Sequence, residues 1–539
     1  MCFSNKKINQ LPKIRIDNIE IKYTLSHKIL GLTLDAPKLK WKKHLENLKV
    51  DILNRINIMK KLTSLNWGAN RETLLKFYKI YIKPKIEYGS TIYGAAKESD
   101  LKKLETLQNQ ILRLATACFR TSPIIALQAL TNIPSLSQRI KELECIQLTK
   151  ILNKPNKTPV KQQITNCINE YNPQRDKRSL VYRATETKIN LNININPNEI
   201  PNISPIPPWY DISENVQIDF MNNITKNTPQ IIIQKQFQEL INTNYKDFNR
   251  IFTDGSKIKE PDSTSAAIYI QNKNITTIWK LPPKIEITHA ELFAIKQGLK
   301  YVINNKLTKT IILTDSQSSL QLIKNSKPLN YKQITYEIQK QIHFLSTRKQ
   351  EIKIQWIPSH KNIKGNEIVD LAAKKAHEIN NHMSIPPDPN YIIKEIKIKN
   401  NKQWESNLKR ILSTKNYLIK DNTEKPWTRA KYRKLDTCIS RLTTKHTRLK
   451  QHLYRMKMEN DPFCRWCKNQ EETIEHMFLY CPRFNSHRTK LKDALRRVKI
   501  NDIDINLLIT GADQPSTIKY YILRHTKIFL QTTKLFDII

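Results

Sequence analysis

The sequence predicts a multidomain chain. An α-helical region comes first, then an α/β three-layer domain with a mixed five-stranded sheet and helices, then a small helical region around a cysteine cluster. Three observations carry this. Apolar residues recur at helical spacing through 40–150. Strand and helix patterns alternate through 246–380. Cys464, Cys467, His476 and Cys481 bunch in one short segment.

Residues 1–39 read as short strands ending in KILGLTLD. In 40–150, WKKHLENLKVDILNRINIMKKL sets Leu45, Leu48, Ile52, Ile56, Met59 and Leu62 on one helical stripe. RETLLKFYKIYIKP predicts a second helix stopping near Pro84, and LKKLETLQNQILRLATACF a third. These stripes read as core. Residues 151–245 read as an Asn/Pro-rich extended linker with one edge strand, because NLNININPNEIPNISPIPPW holds five Pro and cannot form a long helix.

Within 246–380, NRIFTDGS, AAIYIQN and ITTIWKL predict an antiparallel meander. HAELFAIKQGLKYVI (helix), KTIILTD (strand), SQSSLQLIK (helix), YKQITYEIQKQIHFL (helix), EIKIQWI (strand) and NEIVDLAAKKAHEI (helix) follow. Residues 381–460 form a basic helical region, 461–485 the cysteine cluster, and 486–539 a tail of helix and short strand.

The 539 residues allow three or four domains. The net charge of +43 is spread along the whole length, which favours polyanions and salt-sensitive binding. A lysine bias from an AT-rich genome, suggested by the many Asn and Ile, supplies part of it. Only eight Gly occur, with no GxGxxG or GxxxxGK run, which excludes a Rossmann or P-loop nucleotide site. Eight scattered or bunched Cys do not make a secreted disulfide framework and fit a reducing compartment. No apolar run is long enough to span a membrane, and MCFSNKK carries no signal-peptide core.

Four carboxylates concentrate the chemistry: Asp254 in FTDGS, Glu291 in THAEL, Asp315 in ILTDSQ and Asp370 in GNEIVDLAA. Singly, each has a plain structural reading. Asp254-Gly255 suits a hairpin turn. Thr288 and Glu291 suit a capping box. Asp315 suits an N-cap, and Asp370 a solvated helix face. Jointly they point elsewhere. If the strands of Asp254 and Asp315 are neighbours, the carboxylates face each other, and Glu291 and Asp370 approach from helices. Such repulsion is relieved by hard divalent cations, two Mg²⁺ or Mn²⁺, which activate a water and stabilise a leaving oxygen in phosphodiester cleavage.

The order and wording over 246–380 resemble type-1 ribonuclease H, which cleaves the RNA strand of an RNA–DNA hybrid. The resemblance implies Asp254, Glu291, Asp315 and Asp370 as metal ligands. It also implies that His360, on the SHKNIKGNE loop, assists proton transfer or product release, and that Gly365 and Asn366 form the turn before the final helix. One departure stands out. NSKPLNYKQ is too short for the Trp- and Lys-rich helix with which some members grip the hybrid, so grip is expected from elsewhere in the chain.

Cys464-x2-Cys467-x8-His476-x4-Cys481 suits one tetrahedral structural Zn²⁺ with no open position. Arg465, Trp466, Arg483 and Phe484 interleave around it and suit contact with phosphates and stacked bases. SRLTTKHTRLKQHLYRMK upstream is basic, and equally suits a solvated face.

KILGLTLD, the helices of 40–150, and TKHTRLKQHLYRM before the C-C-H-C cluster resemble the C-terminal part of jockey-type non-LTR retrotransposon polyproteins. That resemblance makes 1–39 the end of a reverse transcriptase palm and 40–150 its thumb or connection. The polymerase Tyr-x-Asp-Asp motif is absent, so the chain as it stands is not expected to polymerise DNA. Three functions remain in play: a ribonuclease H, a non-catalytic nucleic-acid-binding relic, and a reverse transcriptase part needing a palm in trans. The implied partners are RNA–DNA hybrid, RNA and DNA, with no membrane; the family implies a nuclear site of action. Oligomeric state is not legible.

Overall fold

The computed structural model describes residues 1–3, 13–17, 19–170, 178–193, 206–207, 209–219, 228–260, 262–283, 285–325, 332–383, 389–414, 433–511 and 514–539. The chain forms two compact units, one of Met1–Gln147, Tyr171–Asn192 and Lys397–Ile539, the other of Leu148–Glu170 and Ile193–Ile396.

The second unit is organised by a six-stranded sheet. Its elements are β1 (Val216–Gln217), α1 (Gln230–Asn244), β2 (Asn249–Ile258), β3 (Ser263–Ile270), β4 (Ile275–Leu281), α2 (Ile287–Asn304), β5 (Lys309–Thr314), α3 (Gln317–Lys324), α4 (Lys332–Thr347), β6 (Glu351–Trp356) and α5 (Lys364–Lys375). The spatial order is β1-β6-β5-β2-β3-β4. The meander β2-β3-β4 is antiparallel, and β2, β5, β6 and β1 run parallel. Five strands are those the sequence predicts. The sixth is the two-residue edge strand Val216–Gln217, from the segment read as linker.

Alternation along β2 creates the layers. Ile251 packs with Ile268, Ile312 and Ile354 against α2 and α4. Phe252 packs with Ala267, Ile311 and Leu313 against α1 and α5. Three layers result. Two glycines permit close approach of helices to β2. A Cβ on Gly255 would lie 2.9 Å from the Glu291 nitrogen at the start of α2, and one on Gly365, at the start of α5, would overlap the Phe252 ring.

The linker reading needs correction. Pro159–Asn169, Leu180–Asn190 and Gln230–Asn244 are helices rather than extended chain. In Leu180–Asn190, the buried Val181, Ala184 and Thr187 recur every three residues, a helical period that the Asn and Pro nearby obscured. The stretch 194–205 lies outside the described residues, as does most of NSKPLNYKQ, on which the missing grip helix turned.

In the first unit, helix Lys42–Lys61 buries Leu45, Leu48, Ile52, Ile56 and Met59, while Leu62 just past its end is 37% exposed. The second predicted helix does not stop at Pro84. A π-helical turn at Tyr78–Ile82 precedes the proline, and a new helical segment, Lys83–Glu87, takes it in its first turn, where no N–H is needed. The C-terminal part is helical at Arg433–Thr444, Lys450–Arg455, Asn485–Arg496, Ile505–Thr510 and Ser516–Thr532, and the short strand expected after residue 486 is absent among the described residues. This part is joined to the N-terminal helices. The buried Arg433 guanidinium donates to the carbonyls of Leu114 and Ala115, at the C-terminal end of helix Glu98–Thr116, where a cation is favoured. Asp436 accepts from the Arg71 backbone N–H at 2.8 Å.

Candidate metal centres

The parallel register pairs Phe252 with Leu313 and Thr253 with Thr314. Asp254 is the next residue on β2 and Asp315 the first residue past β5, so their carboxylates sit side by side. Asp254 and Gly255 lie inside β2, opposite Ala267 and Ala266, and form no hairpin turn. The residue before α2 is Glu286, which leaves Thr288 and Glu291 inside the helix and removes the capping-box reading. The residue before α3 is Ser316, so Asp315 is not its cap. The bland alternatives fail for these three.

Asp254, Glu291 and Asp315 each offer an oxygen within 4.8 Å of the others. His360, Glu367 and Asp370 form a second such group. The two groups adjoin, because Asp254 and Asp315 both feel the Asp370 charge, and Asp315 also feels His360. His360 is exposed, on a loop where it takes a left-handed φ of 50°. The Asn366 amide reaches Asp315 at 3.5 Å, the Trp356 indole donates to the Asp315 carbonyl at 3.1 Å, and Lys374 pairs with Asp370 at 2.8 Å. Sequence reasoning passed over Glu367. Its position three residues before Asp370 puts both on one helix face, which was the available signal.

Burial first, then the Asp315 and Asp370 charges, push Asp254 up to about 7. Burial, then Asp254 and Asp315, hold Glu291 well above the usual range, and it shares a hydrogen bond with Asp254. Burial raises Asp315, against the pull of Asn366 and His360. Glu291 keeps one buried oxygen with no protein partner. Hard oxygens at this spacing, one of them unpartnered, fit a divalent cation such as Mg²⁺ or Mn²⁺.

The sulfur site is as compact. The Cys464 and Cys481 sulfurs are 3.9 Å apart, and the Cys467 sulfur lies 3.3 Å from His476 Nε2. Two sulfurs on one tetrahedral zinc stand about 3.8 Å apart, given bonds near 2.3 Å. His476 Nδ1 is held by Gln470 Oε1 at 2.8 Å, which leaves Nε2 as the ligand atom. The Cys464 N–H donates to the Gln470 carbonyl at 2.8 Å and closes the turn between the first two cysteines and the histidine. Burial and the neighbouring sulfurs hold Cys481 up at about 11, so zinc binding must displace its proton.

The residues interleaved here play other parts than expected. Arg465 donates through its guanidinium and its backbone N–H to the buried Glu472. Phe484 is buried, with Trp466 edge-on against it at 5.2 Å. These three build the site's scaffold, because the turn leaves the Glu472 charge buried and in need of a cation. Of the set, Arg465 and Arg483 remain exposed, Arg465 while paired with Glu472.

Two outcomes follow. Between pH 4 and about 7 the folded acidic set binds more protons than the unfolded chain, so metal-free stability falls as pH rises through that window. Denaturation in EDTA should show this loss. Asp254→Asn should recover about 1–4 kcal/mol of it at pH 7.5, since each tenfold change in proton affinity is worth about 1.4 kcal/mol. Mg²⁺ should recover it in the unsubstituted protein. A flat profile would contradict the clustering. For the sulfur site, elemental analysis should find one zinc per chain, lost in His476→Ala and Cys481→Ser together with helical signal. Retention of zinc in both variants would contradict the ligand set.

Residues 247–378 match the RNase H family, and residues 404–486 match the family described as zinc-binding in reverse transcriptase. The chain is 27% identical over 118 residues to a probable RNA-directed DNA polymerase from transposon X-element of Drosophila melanogaster, covering 22% of this chain and 13% of that protein. It is 26% identical over 146 residues to the RNA-directed DNA polymerase from mobile element jockey of Drosophila funebris, covering 26% and 15%. The jockey polymerase of Drosophila melanogaster is 24% identical over 183 residues, covering 33% and 19%. The matched segments thus span less than a fifth of these relatives' length. An RNase H domain followed by a reverse-transcriptase zinc-binding region, with jockey-type relatives, places this chain with the C-terminal region of non-LTR retrotransposon polyproteins.

Proposed function

We propose that this chain is a metal-dependent endonuclease that cleaves the RNA strand of RNA–DNA hybrids. The supporting observation is the acidic set itself: Asp254, Glu291 and Asp315 within 4.8 Å, with Asp370, Glu367 and His360 alongside. Asp254, Glu291, Asp315 and Asp370 would hold two divalent cations, which supply an activated water and stabilise the departing 3′ oxygen. The protein's own work is placement. The two strands fix Asp254 and Asp315 at one spacing, and α2 and α5 bring Glu291 and Asp370 from opposite layers. His360, exposed on its loop, is placed to accept or deliver a proton at the open side. Lys374 neutralises part of the Asp370 charge.

The zinc centre lies in the other unit and takes no part in cleavage, since all four ligand positions are filled by protein. The overall charge of +43 supports binding of RNA, DNA and their hybrid through phosphates. Polymerase activity appears in the names of the relatives and forms no part of this reading. A nuclear site of action, where a retrotransposon copy would be made, belongs to the same proposal.

The test is cleavage of an end-labelled RNA–DNA hybrid by the purified chain in Mg²⁺. Cleavage confined to the RNA strand, abolished by EDTA and reduced at least about 10³-fold in Asp315→Asn, is expected. Hybrid binding without cleavage would sink the enzyme reading and leave a nucleic-acid-binding protein.

A further inference from the structure

Seven residues beyond Asp370, His377 stands in a network of hydroxyls on β2 and β3. Its Nδ1 lies 2.8 Å from Ser263 Oγ, and its Nε2 lies 3.1 Å from Ser256 Oγ and 3.2 Å from Ser265 Oγ. Ser265 Oγ in turn donates to the Ala373 carbonyl of α5 at 2.6 Å. That last bond fixes the rest. With its only hydrogen given to Ala373, Ser265 can only accept from His377, so Nε2 carries the proton. Nδ1 is then bare and accepts from Ser263. A neutral imidazole satisfies every partner, consistent with the lowering of His377 by burial and by Lys280.

The position matters more than the bonds alone. Ser256 follows Asp254 by two residues on β2, so both point to the same face. Ser256 pairs with Ser265 across the ladder, as Asp254 pairs with Ala267. Helix α5 runs along β2, with Gly365 packed on the Phe252 ring at one end and the His377 turn, Ala376–Glu378, on Ser256 at the other. Asp370 lies between these contacts, beside Asp254. The Gly365 contact is steric and sets how near the helix comes. The His377 contact is directional and sets how far along β2 the helix sits and how it is rotated. Either movement would swing Asp370 away from Asp254 and Asp315.

We propose that His377 is a positioning residue for the metal centre: by clamping the end of α5 to Ser256, Ser263 and Ser265, it holds Asp370 where a cation shared with Asp254 needs it. The inference rests on the metal-binding reading of the acidic set. It assigns His377 no contact with substrate or metal.

The experiment is Mn²⁺ titration of the full chain, followed by calorimetry or by loss of free-ion paramagnetic signal, with hybrid cleavage measured in parallel. His377→Ala should weaken Mn²⁺ binding by about 10-fold or more, the usual effect of losing an outer-shell partner. The Mn²⁺ concentration for half-maximal cleavage should rise with it, while the KM for hybrid stays unchanged. His377→Gln, which restores a donor near the Nε2 position, should regain most of the affinity. Ser256→Ala, a gentle change that leaves the fold intact, should shift Mn²⁺ binding the same way by a smaller factor. Unchanged Mn²⁺ binding in folded His377→Ala and Ser256→Ala would overturn the inference while leaving the nuclease reading standing. Weakened Mn²⁺ binding in a chain that does not cleave hybrid would uphold the inference and sink the nuclease reading. No Mn²⁺ binding by the unsubstituted chain would overturn both.

Discussion

The parallel pairing of β2 with β5 is the constraint on which the rest of the α/β unit depends. It places Asp254 and Asp315 side by side in a setting that penalises their charge. The sheet could not hold them there unless other contacts outweighed the repulsion. Those contacts are the two apolar layers, one around Ile251, Ile312 and α2, the other around Phe252, Leu313 and α5. The layers also deliver the remaining carboxylates. Helix α2 reaches Asp254 because Gly255 has no side chain to keep it off. Helix α5 reaches it because Gly365 admits the Phe252 ring. The fold thus concentrates negative charge that only protons or cations can relieve, which is the arrangement expected of a functional site.

Much of this was legible in the sequence, for identifiable reasons. The four carboxylates stood out because they fall on strands and helices that alternate along the sequence, two on or just past strands and two on helices. The grouping of Cys464, Cys467, His476 and Cys481 was legible from spacing alone. Glu367 was passed over, since its one signal, the three-residue spacing from Asp370 on a single helix face, is also that of an ordinary solvated helix face. His377 was not legible, since its partners are serines on two strands more than a hundred residues upstream. An edge strand was expected within 151–245, but Val216–Gln217 is too short for its place to be read, and the π-helical turn before Pro84 defeats the rule that proline ends a helix. Arg465 looked like a phosphate contact because its buried partner, Glu472, was visible only in three dimensions.

The zinc region differs in the same instructive way. Read as a small knuckle, it is the nucleus of a larger helical core. Cys464 and Cys481 pack with Leu491, Leu508, Ile522 and Phe529, residues from the segment read as a tail. Arg433 and Asp436 then tie that core to the N-terminal helices. A metal held by these cysteines would therefore be coupled to the folding of the C-terminal residues.

The account's central claim is that the buried carboxylates are held together for divalent cations. Crystals of the chain grown with Mn²⁺, with anomalous scattering recorded, test it most directly. The account predicts two Mn²⁺ peaks about 4 Å apart, bounded by Asp254, Glu291, Asp315 and Asp370. An ordered site without any Mn²⁺ peak, its carboxyls protonated and hydrogen-bonded to one another, would contradict it.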